Sequence, residues 1–382
     1  MAFTYHFHSL DQYIDQLRPR LRIAVVHGGD KDRDGAVIYK THNPRSTKTY
    51  EPVAHDIAAA LRGLGFQQVW VMPDDMGLAE NLRKENIHLV WLNTGGVQGY
   101  NPVCHTAALL EMLGMPYIGH NPLNGSILDN KHAFKRELQG LGIPTAPFMI
   151  CHPSQGRFKP HNNPIFDQTF PDYDGPFLVK PVSGRASLNI LFADTLDQLP
   201  DAVAEIQKIT RNTVFIEKYL PGREFCVSVC GYVTHAHGAF TKNHHPFTFS
   251  ALERVLESDE RIFTSMDHKA ITHDRLRLLG PEDAKLKQEL TELGRKIYRN
   301  FNLNSLVRID LRCDRQGRLK ILEANPKPDL KRPAGNTTSI ATQGLSEYGM
   351  TYEDLIFTLF ADRLDYLLSH HHRNIQHIVD LL

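Results

Sequence analysis

The chain has no cysteine framework, no long apolar run and no surplus of charge, and each absence removes a class of protein. Its five cysteines (Cys104, Cys151, Cys226, Cys230 and Cys313) are odd in number, scattered, and form no C-x-x-C pair. They read as reduced thiols, which gives the expectation of a cytoplasmic protein. No stretch approaches the roughly 18 apolar residues a membrane span needs. The opening MAFTYHFHSLDQYIDQL lacks a basic patch followed by an apolar core, so no signal peptide is expected. Lys+Arg and Asp+Glu both count 43, and a formal net charge of zero favours neither nucleic acid nor an anionic membrane as partner. There is no internal repeat, no low-complexity segment and no GxxxxGK[ST] phosphate loop. Histidine is the one excess, at 21. His235/His237, His244/His245 and His370–His372 form clusters, but none shows a clear ligand spacing with cysteine or carboxylate. The HHH run is expected to be a solvated tail.

What is present reads as a globular chain. Its 382 residues, 41% hydrophobic and 23% charged, exceed one typical domain and predict two or three, each with its own core. LRIAVVHGG is a short apolar strand running into a glycine turn. EPVAHDIAAALRGLGF carries apolar residues at helical spacing, stopped by Gly63 and Gly65. FQQVWVM, IHLVWLNTGG and MPYIGH continue as strands, with the helix HTAALLEMLG between the last two. This β-α-β alternation predicts an open, mostly parallel sheet up to about residue 125. NKHAFKRELQGLG is a helix closing on Gly140 and Gly142. Residues 152–176, rich in Pro, Asn, Asp and Gly, predict an exposed loop. The strand PFLVKPV, the helix LDQLPDAVAEIQKI and the strand TVFIEKYL form a small α+β unit. The remainder is strand-rich from REFCVSVCGYV and ends in the helix TYEDLIFTLFADRLDYLL. The expected division is residues 1–125, 126–222 and 223–382.

RIDLRCDRQGRLKILEANP places two acids inside apolar stretches. With Gln316 and Gly317 as a two-residue turn, Arg308 faces Asn325, Asp310 faces Glu323 and Arg312 faces Ile321. Side chains alternate with period two, so Arg308, Asp310, Glu323 and Asn325 share one face. Ile309, Leu311, Cys313, Leu322 and Ala324 take the other, toward the core. Opposed carboxylates repel unless a cation lies between them. Mg²⁺ takes oxygen ligands, commonly one or two carboxylates plus substrate phosphates, and Asn325 adds a neutral oxygen. Arg308 is placed to stabilise charge developing beside such a metal. An ordinary exposed face carrying Arg–carboxylate pairs is the plainer alternative.

A metal of this kind calls for a polyphosphate and for cations elsewhere. Lys180 ends the strand FLVKP, and the following VSGRAS is small and hydroxyl-rich, suited to bringing backbone N–H groups to phosphate. Lys131 opens a helix after LDN, where the helix dipole also favours anions. VFIEKYLPGREF delivers Glu217 and Lys218 from a strand, turns at Pro221-Gly222 and reaches Glu224. Backbone groups there can meet an adenine edge, and a carboxylate can accept ribose hydroxyls.

LLEMLGMPYIGHNPLNGSILDNKHAFKRELQGLGIPTAP, FLVKP, VFIEKYLPGREFCVSVCG and VRIDLRCDRQGRLKILEANP, in this order, resemble the ATP-grasp superfamily and within it the D-alanine–D-alanine ligase family. The resemblance runs from about residue 21 to 365. It implies an α/β and α+β, ATP-grasp fold of three domains, with ATP held between the central and C-terminal ones. It also implies an ADP-forming ligase using ATP and two Mg²⁺ ions, joining a small-molecule acceptor to an amino-acid amine, and a homodimer by analogy. By position, Lys131, Lys180 and Ser187 would contact phosphate, and Glu217, Lys218 and Leu220 would form the adenine hinge. Glu224 would meet the ribose. Asp310, Glu323 and Asn325 would hold Mg²⁺, with Arg308 and Lys180 catalytic.

The chain also departs from the family's pattern. Its first glycine turn reads HGGDKDRDG, where the family carries a serine and a glutamate for the first D-alanine. WLNTGGVQGYNP puts Asn93 where a histidine is usual. The loop usually written Gly-Ser-Ser-x-Gly is here Arg185-Ala186-Ser187-Leu188-Asn189. PKPDLKRPAGN replaces the segment that ends in a substrate-gripping serine. Nucleotide and metal positions are kept while substrate positions change. The loops around Asn93, Gly95, Gly96 and Gln98, and around Lys327 and Lys331, are therefore the expected substrate pocket. These loops are similar to those of the ligases of mycosporine-like amino-acid biosynthesis, which implies mycosporine-glycine as acceptor and serine, threonine or glycine as donor. D-Alanine–D-alanine ligation and a non-catalytic ATP-binding regulator are the alternatives.

Overall fold

The computed structural model describes residues 4–39, 50–99, 101–184, 188–263 and 270–382. Its first sheet contains β1 (Arg22–His27), β2 (Gln68–Pro73), β3 (Leu89–Asn93) and β4 (Tyr117–Ile118), in the order β2-β1-β3-β4 and parallel throughout. Parallel strands need crossovers, supplied by helices Glu51–Gly63, Leu78–Lys84 and His105–Met112. Alternation along β1 sends Ile23 and Val25 against Ile57 and Leu61 on one face. Ala24 and Val26 pack with Leu78, Leu82 and Leu110 on the other. Both faces are covered, which is why β1 reads as an unbroken apolar run. His27 and Asn93 pair at the carboxyl ends of β1 and β3, the edge where open α/β sheets hold ligands.

The second sheet is antiparallel, in the order β5-β8-β6-β7, from β5 (Phe148–Cys151), β6 (Phe177–Pro181), β7 (Leu191–Ala193) and β8 (Val214–Lys218). Helix Leu199–Thr210 backs it through Leu199, Val203 and Ile206. Residues 152–176 are not the exposed loop expected from their composition. Asn163 caps a short helix, Pro164–Thr169, and Phe158, Phe166 and Phe170 are buried in the core beside Phe177. The polar residues dominate the composition, but three aromatics supply the burial that fixes the segment.

The third sheet is antiparallel, in the order β13-β12-β9-β14-β15. Its strands are β9 (Glu224–Cys230), β12 (Phe247–Arg254), β13 (Leu276–Leu278), β14 (Val307–Cys313) and β15 (Leu319–Asn325), and β10 (Val233–Ala236) with β11 (Ala239–Lys242) forms a separate hairpin. The β14–β15 turn is longer than the two residues expected. Asp314 N–H donates to Arg318 O, leaving residues 315–317 as the loop with Gly317 at φ 77, a three-residue turn with glycine in the left-handed region. Arg312 consequently faces Lys320, not Ile321. A bulge at Leu322 then restores the expected pairs, Asp310 with Glu323 and Arg308 with Asn325. Without that extra residue the same turn would put the two acids on opposite faces. The bulge also changes one assignment. Ile321 joins the core, and Leu322 is half-buried on the side facing the second sheet.

Within the HHH run His370 is exposed and His371 and His372 are half-buried, but the chain beyond it is no solvated tail. Ile375 and Ile378 return to the core, and His377 Nε2 lies 3.2 Å from His88 O.

Candidate active site

A cleft between the second and third sheets collects half of the charged candidates. Lys131, Lys180, Arg254 and Arg308 line it together with Asp310, Glu323 and Asn325. Lys131 is fixed by its helix start: the Asn130 side chain accepts from Ala133 N–H, and Lys131 N–H donates to Val182 O at 2.9 Å. Its ammonium reaches Gly184 O at 3.3 Å and Glu323 Oε2 at 3.4 Å. Lys180 Nζ donates to Glu217 Oε2 at 2.8 Å, and Lys135 Nζ donates to Glu217 Oε1.

Glu217 was the expected start of an adenine hinge, and its side chain does something else. It is fully buried between two lysines, because two ammonium groups withdrawn from water require a counter-charge. Burial alone would raise its carboxyl pKa, but Lys135 and Lys180 bring it below the ordinary value. Burial lowers the pKa of Lys135; burial acts the same way on Lys180, but Glu217, Glu323 and Glu224 together outweigh it and raise the pKa.

Asp310 has the densest environment. Arg308 grips it with two hydrogen bonds of 2.8 and 2.9 Å, Arg254 approaches to 2.6 Å, and Asn325 Nδ2 donates at 3.2 Å. Burial would raise its pKa, and Arg254 and Arg308 hold it below the ordinary carboxylate value. Arg254 also donates to Glu224 at 2.8 Å, and Arg312 lies 3.4 Å from that acid.

The donor set suits Mg²⁺. Asp310, Glu323 and the Asn325 amide put hard oxygens on one face of the hairpin once the amide presents its oxygen. Among the described residues no group of three or more His, Cys, Asp or Glu could hold a metal, so the histidine clusters offer no rival site there.

An apolar slot adjoins the cleft. Leu178, Ile190, Leu220, Phe263 and Leu322 line it, with Lys218 and Glu224 at its polar edge. Lys218 and Leu220, two of the expected hinge residues, both line this slot.

On the other side of the cleft, Lys327 lies beside both Asn325 and a cavity lined by Trp91, Asn93, Gly119 and Ser305. Asn93 is buried and donates to Tyr50 O at 3.0 Å, and the Lys327 ammonium stands 3.4 Å over the Tyr50 ring. The other loop candidates are not brought there. Gln98 Oε1 accepts from Ile38 and Tyr39 N–H. Gly96, at φ 87, packs so close to Pro102 that a Cβ would lie 1.9 Å from its carbonyl oxygen. Gly95 and Lys331 line neither cavity. Ser187, with Arg185 and Ala186, lies outside the described residues.

Two residues were not anticipated. Lys135 stands one helical turn after Lys131, so the i, i+4 spacing was the available signal. Arg254 closes the apolar run FTFSALER as Lys180 closes FLVK; a cation ending a buried strand marks both.

A family model described as D-ala D-ala ligase C-terminus matches residues 138–361. The D-alanine–D-alanine ligase of Carboxydothermus hydrogenoformans is 25% identical over 284 residues, covering 74% of this chain and 83% of that protein. The D-alanine–D-alanine ligase of Gloeobacter violaceus is 25% identical over 312 residues, covering 81% and 92%. The fold matches the crystal structure of the Bacillus anthracis D-alanine–D-alanine ligase complexed with ATP, at a TM-score of 0.64 and 17% identity over 90% of this chain and 98% of that one. The chain therefore has the ATP-grasp fold and belongs to the D-alanine–D-alanine ligase family of ATP-dependent, ADP-forming carbon–nitrogen ligases.

Proposed function

We propose that the protein phosphorylates an oxygen of a small acceptor other than D-alanine and joins the activated carbon to an amino-acid amine. Mycosporine-glycine is the proposed acceptor, and serine, threonine or glycine the donor. Its enaminone oxygen is electronically a vinylogous acid. Transfer of the γ-phosphoryl group to it makes a leaving group, the amine nitrogen attacks the ring carbon, and phosphate departs with the C–O electron pair. Loss of the amine's protons gives an imine. Lys131 and Lys180 would hold the phosphates, the slot at Lys218 and Leu220 the base, and Glu224 the ribose. Asp310, Glu323 and Asn325 would hold Mg²⁺, whose charge offsets that of the phosphates. Arg308 would face the charge developing on the acceptor. ATP would lie between residues 126–222 and residues 223–382; in support, each of those segments contains a sheet of its own, as does the segment that precedes them.

The observation that carries this reading is the pairing of Asn93 and Lys327 beside Tyr50 at the cavity next to Asn325. An amide and an ammonium suit an acceptor bearing hydroxyls and a carboxylate. The names of the relatives favour a second reading, D-alanine–D-alanine ligation. Incubation with ATP, Mg²⁺, mycosporine-glycine and each donor separates the two. ADP release and a product with red-shifted ultraviolet absorption are expected, with poor turnover of D-alanine alone. Brisk D-alanyl-D-alanine formation and no product from the cyclohexenone would establish the second reading instead.

A further inference from the structure

Asp329 stands four residues beyond Asn325, in the segment that leaves β15. Both of its carboxylate oxygens are buried, and neither accepts a hydrogen bond of good geometry. The segment around it is anchored without it. Tyr352 OH donates to Leu330 O at 2.9 Å, and Arg332 N–H donates to Asp56 Oδ2 at 3.1 Å. Lys331 N–H lies within reach of the carboxylate, but the segment has these other anchors, and the desolvation of the acid is costly. Pro328 and Leu330, on either side of it, line the cavity at Asn93. Lys327, Lys331 and Arg308, the last lining the main cleft, act on Asp329 electrostatically.

Lys327 and Arg308, each lining a cavity, would alone accept any small carboxylate. A buried acid among these cations adds the complement of a positive charge, and an α-amino acid presents both signs a few ångströms apart. We propose that Asp329 binds the protonated amino group of the amino-acid donor, with Lys327 and Arg308 on its carboxylate side. This rests on the proposed function only in taking an amino acid as the source of the amine; it does not depend on the acceptor.

The test titrates the full-length protein, saturated with Mg²⁺ and a non-hydrolysable ATP analogue, with glycine, L-serine, L-threonine and D-alanine, and with their hydroxy-acid counterparts glycolate, L-glycerate, 2,3-dihydroxybutanoate and D-lactate. At least one amino acid should bind, and the matching hydroxy acid should bind on the order of 100-fold more weakly, as expected when a buried charge loses its partner. Asp329→Asn should abolish that preference and leave affinity for the ATP analogue unchanged, while Asp329→Glu should recover some of it. Equal binding of amino acids by wild type and Asp329→Asn would overturn the proposal, as would failure of every amino acid to bind. Joint loss of nucleotide and amino-acid binding in both variants would assign Asp329 a structural role and overturn it too. No acceptor is present, so failure of the mycosporine reading would leave this result standing.

Discussion

Asp310 and Glu323 face each other across two strands, yet their surroundings differ. Asp310 is buried and neutralises Arg308 and Arg254, whereas Glu323 is half-buried with Lys131 at 3.4 Å. Glu323→Gln should therefore abolish turnover without a change in unfolding temperature, and retained activity at low Mg²⁺ would remove Glu323 from the metal site. Asp310→Asn should also be inactive, and less stable by about 3–5 kcal/mol, because two guanidinium groups lose their buried counter-charge. Denaturant titration of the two variants reads the contrast. The shared face of the acids was legible from strand alternation. Arg254 was not, since a strand-terminal arginine is usually solvated and only the fold brings it within 2.6 Å of Asp310.

At the scale of elements, the β14–β15 hairpin was legible for a reason that sequence could not supply. A longer turn and a bulge offset each other, so the pairs at the site came out as a shorter turn would give them. The cost fell on Leu322, assigned to the core but lining the slot. Helix Tyr352–His370 shows a second case, a polar contact that a helical pattern does not reveal. Asp362 Oδ1 accepts from Tyr232 N–H at 2.7 Å and Val233 N–H at 3.0 Å, tying the helix to the start of β10. Burial, opposed by those two donors, raises its pKa to about 6. The folded protein then binds a proton that the unfolded chain has released, so this stabilisation is full below about pH 4 and is lost as pH rises through about 6. Its size is about 3 kcal/mol, at roughly 1.4 kcal/mol per pKa unit. Asp362→Asn keeps an acceptor for both N–H groups and has no charge to bury. It should be more stable than wild type at pH 8, with the gap closing toward pH 4. A gap independent of pH would show that the ionisation of Asp362 does not matter.

Across the whole molecule, one core cluster joins regions that the sequence reads as separate. Ile23, Val25 and Leu89 of the first sheet share it with Cys230, Val233 and Phe249 of the third-sheet region, and Leu355, Phe360 and Leu364 of helix Tyr352–His370 lie in the same cluster. Each element's own pattern was readable, but which surfaces meet was not, because contacts between residues hundreds of positions apart leave no local periodicity. Phe360 is the residue to test. It is fully buried, and its ring centroid lies 4.6 Å from that of Phe66, just beyond helix Glu51–Gly63. Phe360→Ala leaves a void at a junction that packing on either side cannot easily refill, for a loss of about 3–5 kcal/mol. Because the cluster spans both regions, the loss should appear as a lower midpoint of one cooperative transition. Trp70 and Trp91 fluorescence, which reports on the first sheet, should shift together with the loss of ATP-analogue binding, which reports on the cleft. If Phe360→Ala instead separated the two signals, with the tryptophans holding their wild-type midpoint while the cleft melted early, the first sheet would be stable without this helix and the shared core would not couple the two.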